Sequence, residues 1–199
     1  MMNNLKSLQN LIESFERLPG IGHKTAERLA YAVLNMDSES VERFSKALLD
    51  TKNNIHPCPI CGVYTEHPVC EICESTDRNP STLVVVSYSK DALSIEKITK
   101  KYKYHVLNGE ISMMKGITPD KLTIAQLLAR IETENISELI LATNPTIEGE
   151  TTSQYIFNLL KNTDITITRL AYGLPMGGEI DYLDSMTIDR ALSGRTKLK

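Results

Sequence analysis

The feature that most restricts what this 199-residue chain can fold into is a pair of C-x-x-C knuckles, Cys58-Pro59-Ile60-Cys61 and Cys70-Glu71-Ile72-Cys73, eight residues apart. They hold all four cysteines of the chain. Two such knuckles can set four thiolates at tetrahedral corners, each about 2.3 Å from one zinc ion, without a large fold around them. Gly62 follows the first knuckle and can take the positive φ that such a turn often needs. Four cysteine ligands leave no open position for water, so the expected cofactor is one structural Zn2+ per chain. A disulfide framework is the main alternative, and it fits poorly with a chain that lacks a secretory signal. A thioredoxin-like redox site would use one knuckle, not two. His56 and His67 lie close enough to replace a cysteine, but with four thiolates present they are expected to be solvated or to stand behind the ligands.

Composition adds bounds. Hydrophobic residues make up 41% and charged residues 24%, enough for an ordinary buried core. The longest apolar stretches, such as residues 83–86 and 139–142, are far too short to cross a bilayer. The first ten residues, MMNNLKSLQN, carry no apolar signal core and no small-residue cleavage site. A cytoplasmic protein with no membrane contact is expected. The net charge of −3 excludes bulk attraction to nucleic acid, so any such binding must come from a local patch or from backbone geometry. The weakly basic tail, 190–199, reads as a solvated terminus.

The chain divides into four parts. Residues 1–55 read as helical. Leu8, Leu11, Ile12, Phe15 and Leu18 recur at helical spacing, Pro19-Gly20-Ile21-Gly22 interrupts them, and Ala26, Leu29, Ala30 and Val33 resume the period. A third helix is expected with Ser38 as its N-cap and Val41, Phe44 and Leu48 on its inner face. Residues 56–79 form the cysteine-rich module. Residues 80–172 alternate strand signals (82–86, 104–107, 138–142, 165–170) with helix signals (91–101, 124–131, 151–160). That order argues for a parallel sheet covered by helices. Residues 173–199 are glycine-rich, then helical. The fold class is therefore α+β and multi-module.

The segment Leu18-Pro19-Gly20-Ile21-Gly22-His23-Lys24-Thr25-Ala26-Glu27-Arg28-Leu29-Ala30 joins two helices by a tight turn. Gly20 and Gly22 remove Cβ atoms where the chain bends and where another backbone can approach. The first N–H groups of the second helix have no intrahelical partner and carry partial positive charge, so a phosphate oxygen fits there. Lys24 and Arg28 are four apart and share a face near that end. Together these residues can hold a DNA backbone, single- or double-stranded, without reading bases. The competing reading is an ordinary corner of a small helical bundle. Glu13, Glu16 and Glu27 offset the basic residues, so weak, salt-sensitive binding is expected.

The strand at 138–142 runs into Thr143-Asn144-Pro145-Thr146-Ile147-Glu148-Gly149-Glu150, where α/β proteins place ligands. This loop resembles the acidic loop of Toprim domains of topoisomerases and primases. In that pattern an Asp-x-Asp, followed by a Glu-Gly pair, binds magnesium together with a glutamate at the end of the first strand. Here Asn144 and Thr146 stand at the aspartate positions, and Ser87, followed by Tyr88, stands at the strand end. Neutral side chains hold magnesium poorly, and phosphoryl transfer without it loses its main charge stabilisation. The expectation is a Toprim scaffold whose crevice is lined with neutral groups and which has no catalytic residues. Glu148, Glu150 and Asp91 remain as solvated or partner-facing carboxylates.

Helix-hairpin-helix, four-cysteine motif, Toprim-like domain and glycine-rich C-terminal segment, taken in that order, resemble the bacterial RecR family of recombination proteins. The resemblance is carried by residues 18–22, the two knuckles, residues 142–146 with Glu148-Gly149-Glu150, and Gly173-Leu174-Pro175-Met176-Gly177-Gly178 with Tyr182. It implies a non-enzymatic, nucleoid-associated mediator of recombinational DNA repair that acts with RecO and RecF to load recombinase onto single-stranded DNA coated with SSB. It implies association of the N- and C-terminal regions into homo-oligomers, from dimers to ring-like tetramers that clamp DNA. The loop bearing Asn144, Glu148 and Glu150 then becomes a docking surface for RecO. No phosphate-binding G-x-x-x-x-G-K-[ST] loop is present, so Gly177 and Gly178 are expected in turns or subunit contacts. The alternatives are a metal-dependent Toprim enzyme and a protein-interaction adaptor with little direct DNA contact.

Overall fold

A computed structural model describes residues 5–171, 173–195 and 197. Residues 1–4, 172, 196, 198 and 199, which include the chain start, the expected 172/173 boundary and part of the basic tail, lie outside the described residues. Two compact units divide the chain, one up to Ile55 and one from His56. No helix among the described residues is long and apolar enough to cross a membrane.

The first unit holds α1 (Lys6–Glu16), α2 (His23–Leu34) and α3 (Ser38–Asn54). Its core is small: Ile12, Ala26 and Ala30 are buried, with Leu8, Leu11, Phe15 and Ile21 packed around them. Ala26 and Ala30 carry no side chain beyond Cβ, so α1 and α2 can approach closely. Two expectations for α3 need correction. Its N-cap is Asp37, not Ser38: Asp37 accepts from the Ser40 N–H and from the Ser40 hydroxyl, each at 2.8 Å. These bonds hold the Asp37 carboxyl below its ordinary range. A full negative charge complements the helix N-terminus better than a hydroxyl, and Ser38 becomes the first helical residue. The apolar face of α3 also does not point inward. Val41 is half-buried, while Phe44 and Leu48 are 44% and 58% exposed, because α1 and α2 complete the core without them.

The second unit opens with a two-stranded antiparallel ribbon, β1 (His56–Pro57) and β2 (Tyr64–Thr65), and a one-turn helix, α4 (Glu71–Glu74). An α/β domain follows: β3 (Thr82–Val86), α5 (Ser89–Glu96), β4 (Lys103–Val106), α6 (Ile124–Thr133), β5 (Glu138–Leu141), α7 (Ile147–Leu160) and β6 (Thr166–Arg169). The four strands of this domain pair in parallel in the order β4-β3-β5-β6. The last helix among the described residues is α8 (Ser185–Ser193), capped by Asp184, whose carboxylate accepts from the Thr187 N–H at 2.9 Å.

Every residue of β3 is buried, so both faces of the sheet must be covered. Side chains alternate across a strand, and the two sets enter two cores. Leu83 and Val85 join Leu139, Leu141, Leu127, Ile131, Ile156 and Leu160, contributed by β5, α6 and α7. Val84 and Val86 join Ala92, Tyr104 and Val106, together with Cys58, Cys61, Val63, Cys70 and Ile72. The cysteine module therefore shares a core with the sheet. Helix α5 stops at Glu96, short of the expected 101, because the next residues are held elsewhere: the Asn79 N–H donates to the Lys101 carbonyl at 2.8 Å and Arg78 to the Tyr102 carbonyl at 2.9 Å. Helix α7 begins at Ile147, earlier than the expected 151, because Thr146 caps it by accepting from the Gly149 N–H at 3.1 Å.

His105 on β4 is 3% exposed. Its Nε2 lies 3.0 Å from both the carbonyl and the hydroxyl of Thr123, and its Nδ1 has no partner among the described residues. Burial pushes its pKa from 6.5 to about 4, against the opposing pull of the Thr123 carbonyl. The folded chain thus keeps the ring neutral where the unfolded chain would protonate it. Stability that is complete above pH 6.5 should drain away as pH falls toward 4, at no more than about 1.36 kcal/mol per pH unit. Between pH 6.5 and 5 the wild type should lose up to about 2 kcal/mol more than His105→Gln, read from urea midpoints. Equal losses in the two proteins would remove His105 as the cause.

Candidate nucleic-acid interface and metal centre

The turn between α1 and α2 places its two glycines for different reasons. Gly20 sits at φ +82°, a conformation that disfavours any residue with a Cβ. Gly22 is extended, at φ −87°, and serves as the N-cap of α2 without a side-chain bond. A Cβ at either position would meet nothing within 4 Å. The space that Gly22 leaves is therefore open to an incoming group. The carbonyl of Gly22 accepts from Thr25 and Ala26, while the N–H groups of Gly22, His23 and Lys24 find no acceptor among the described residues. Lys24 and Arg28 are exposed and pair with no acid among the described residues. Glu16 reaches His23 Nδ1 at 2.5 Å, which ties the two helices. The sequence-expected Gly20, Gly22, Lys24 and Arg28 thus lie on one turn and its following helix.

The four cysteine sulfurs lie within 4.8 Å of one another, with Cys58 and Cys73 4.0 Å apart and Cys61 and Cys70 3.4 Å apart. Tetrahedral bonds of about 2.3 Å would set sulfurs about 3.8 Å apart, so the cluster fits one zinc ion. The exposed His56 and His67 are outside the cluster. The knuckles fold by backbone bonding: Gly62 N–H to the Cys58 carbonyl at 2.9 Å, Cys58 N–H to Val63 at 2.8 Å, and Cys73 N–H to Cys70 at 2.9 Å. Gly62 takes φ +79°, and a Cβ there would lie 3.0 Å from Val106 Cβ. The Val106 N–H donates to the Cys61 carbonyl at 2.8 Å, which bolts the first knuckle to β4.

The thiols cannot all ionise by themselves. Burial works to raise Cys58, but the N–H groups of Cys70, Cys61 and Ile60 outweigh it and bring it to about 6. Cys61 is pushed well above the thiol range by its hydrogen bond with Cys73 and by burial, and burial chiefly lifts Cys70 to about 12. A divalent cation is the group that lets four crowded sulfurs be deprotonated together. Cys58, Cys61, Cys70 and Cys73 would hold one structural zinc.

The Toprim-like crevice differs from expectation in one respect. Ser87, Asn144 and Thr146 do converge there, but they surround a carboxylate that the sequence reading passed over. Glu110, 9% exposed, accepts from the Ser87 hydroxyl at 2.6 Å and the Asn144 amide at 2.9 Å on Oε1, and from the Thr146 hydroxyl at 3.2 Å on Oε2. The crevice is therefore not lined with neutral groups alone. Glu110 escaped notice because it follows β4 and does not end β3 or open α7. The available signal was Asn108-Gly109 just before it: these residues take φ of 62° and 155°, a sharp turn that brings Glu110 into the crevice. Magnesium needs several anionic oxygens with free lone pairs. Here the one buried carboxylate already accepts from three side chains.

The loop around it is tightly fitted. A Cβ on Gly149 would fall 2.1 Å from the Asn144 carbonyl oxygen, so only glycine allows α7 to start against the loop. Asn144 is turned inward by its bond to Glu110. Glu150 is matched by Arg169 at 2.8 Å and lies 4.0 Å from Arg190. Glu148 is half-buried, and its carboxylate has no partner among the described residues. Asp91 caps α5 by accepting from the Tyr88 N–H at 2.9 Å. In the C-terminal segment, Gly177 at φ +82° belongs to a turn in which the Gly178 N–H donates to the Pro175 carbonyl at 3.1 Å.

Because the cysteines and the sheet share one core, removing zinc should weaken the whole second unit. Chelation, or Cys61→Ser, should lower the melting temperature of the α/β domain by several degrees and speed hydrogen exchange in β3 and β4. Exchange that accelerates only in residues 56–75 would show the module to be energetically separate.

Family models for known proteins match almost end to end. The model described as "RecR, helix-hairpin-helix" matches residues 8–52, and the RecR zinc finger domain with four cysteines matches residues 55–75. The Toprim domain matches residues 81–171 and "RecR, C-terminal" matches residues 173–196. A hairpin with an open helix terminus, a four-thiol cluster and a Toprim domain thus follow one another as they do in a single known family, and the chain belongs to the RecR family.

Proposed function

We propose that this chain is a DNA-binding mediator of recombinational repair that grips the sugar-phosphate backbone and performs no chemistry on it. The observation that carries the reading is the start of α2, where N–H groups without an acceptor among the described residues lie beside the exposed Lys24 and Arg28, which pair with no acid among those residues. Such a site suits phosphate oxygens on single or double strands and has no means of reading bases. The non-enzymatic part rests on Glu110, whose oxygens are taken by Ser87, Asn144 and Thr146.

One hairpin with a few unpaired cations among the described residues grips weakly, so retention on DNA calls for several copies acting together. Exposed apolar residues at both terminal regions favour self-association: Phe44, Leu48 and Leu49 on α3, and Ile180, Tyr182 and Leu192 near the C-terminus. A homo-oligomer, closed as a ring-like tetramer, would clamp DNA by topology and need little local charge. Glu148 offers an unpaired carboxylate beside Asn144 and Glu150 for a basic partner surface of the RecO or RecF type, through which recombinase would be loaded onto SSB-coated single strands. The protein would act in the cytoplasm, at the nucleoid.

Replacing Lys24 and Arg28 together with alanine should weaken DNA binding by about tenfold or more at low salt, with zinc content unchanged. Gly22→Ala, whose Cβ would meet no described atom within 4 Å, should weaken binding and cost only about 0.5 kcal/mol of stability, because alanine is a poorer N-cap than glycine. Gly20→Ala should cost about 1 kcal/mol of stability through its left-handed φ. Unchanged binding in the double variant would remove the hairpin assignment. With magnesium, purified protein should neither nick nor relax plasmid DNA nor synthesise primers. Robust activity that Glu148→Gln abolishes would make the chain an enzyme.

A further inference from the structure

Residues 97–103, Lys97-Ile98-Thr99-Lys100-Lys101-Tyr102-Lys103, hold four lysines and no acid in a chain whose net charge is −3. The segment leads from α5 into β4, and contacts with Asn79 and with the buried Arg78 fix its path. The Lys101 carbonyl accepts from the Asn79 N–H at 2.8 Å, and the Tyr102 carbonyl accepts from Arg78 at 2.9 Å. Arg78 is itself 8% exposed and clamped by both oxygens of Glu96, at 2.6 and 2.9 Å. Lys103 pairs with Glu134 at 3.6 Å. Lys97, Lys100 and Lys101 are exposed and pair with no acid among the described residues. Beside Lys101 lies an open groove of about 430 Å³, also lined by Asp77, Arg78, Asn79 and Tyr102. Asp77 is the one acid in that lining and opposes an anion there, while Glu96 already matches the charge of Arg78, so Lys101 is the groove's remaining cation.

Complementing the α5 dipole would explain Lys97, which stands at the helix end, but that effect fades within the last turn and does not reach Lys100 or Lys101. A flexible, solvated lysine run would not need Arg78, Glu96 and Asn79 to anchor its backbone. We infer that Lys97, Lys100 and Lys101, with the groove beside Lys101, form a second nucleic-acid contact that holds phosphates of a DNA backbone. This inference rests on the proposed DNA-binding function and adds to the hairpin a site in the α/β domain. Nucleic acid fits better than an acidic protein surface. Lysine is a point charge that suits phosphates met in any register, and Ile98 is the single exposed apolar side chain in the segment with which to build a dry protein interface. The hairpin alone supplies too few phosphate contacts for firm, salt-sensitive retention.

The test is a salt titration of binding to a fluorescent single-stranded oligonucleotide by the full chain loaded with zinc. Each phosphate contact contributes about 0.7 to the slope of log affinity against log salt on a single strand. Lys97→Ala/Lys100→Ala/Lys101→Ala should therefore lower the slope by about 2, with zinc content and melting temperature unchanged, and the three lysine-to-arginine changes should keep it. Lys46→Ala/Lys115→Ala/Lys161→Ala removes the same charge from exposed sites elsewhere and should leave the slope near that of the wild type. A wild-type slope in the first variant, or an equal drop in the control, overturns the second contact while the hairpin site stands. If the wild type binds no DNA even at low salt, the DNA-binding reading falls and this inference falls with it.

Discussion

The second unit depends on one strand that has no exposed face. β3 is buried throughout, and a parallel strand in that position needs cover on both sides. On one side α6 and α7 supply leucines and isoleucines, as helices in α/β domains do. On the other side α5 contributes little beyond Ala92, and the cover comes from Cys58, Cys61, Val63, Cys70 and Ile72. The metal site is thus part of the sheet's second hydrophobic layer. Zinc that crosslinks the knuckles would also fix the layer over Val84, Val86 and Val106, and so would couple folding of the α/β domain to occupancy of the thiols through ordinary packing. Four uncoordinated thiols would form a loose, partly polar patch where the sheet needs a firm apolar one.

The crevice of the same domain is held together by hydrogen bonds to one buried carboxylate. In a magnesium site, repulsion among carboxylates is held in check by the ion. Here Ser87, Asn144 and Thr146 are donors, and the one carboxylate, Glu110, enters from a different loop and gathers them. Hydrogen bonds from three side chains to a single buried anion link the end of β3 to the loop before α7, as a cation would. A buried carboxylate with three donors is well satisfied, whereas the same carboxylate without them would be costly to keep. The close fit of Gly149 against the Asn144 carbonyl keeps α7 on this loop, so the loop's shape is set internally and does not await a ligand.

Much of this was legible in the sequence because it depended on local rules. Paired C-x-x-C knuckles, the Pro-Gly-Ile-Gly turn, strand runs such as 82–86 and alternating helix periods each reflect chemistry within a few residues of chain. What escaped depended on distant partners. Glu110 is 34 positions from Asn144, and nothing near it in sequence announces that it faces three donors. Phe44 and Leu48 have helical spacing like that of core residues, yet periodicity only says that a face is apolar and not what covers it. Asp37 displaced Ser38 as the cap because two good capping residues stood side by side and charge decided between them.

Charge placement ties these features to the binding of a polyanion by a chain that is itself negative. Several carboxylates are matched by basic side chains within the chain: Glu96 by Arg78, Glu134 by Arg130 and Lys103, Glu150 by Arg169. Each internal pair neutralises an acid and also consumes a cation, so pairing alone cannot create a positive surface. What matters is which cations are left over. In the hairpin they include Arg17, Lys24 and Arg28, and in the α/β domain they include Lys97, Lys100 and Lys101. Within about 10 Å, the range over which charges act at moderate salt, such residual clusters outweigh a whole-chain charge of −3. Affinity built this way is weak per site and steep in salt.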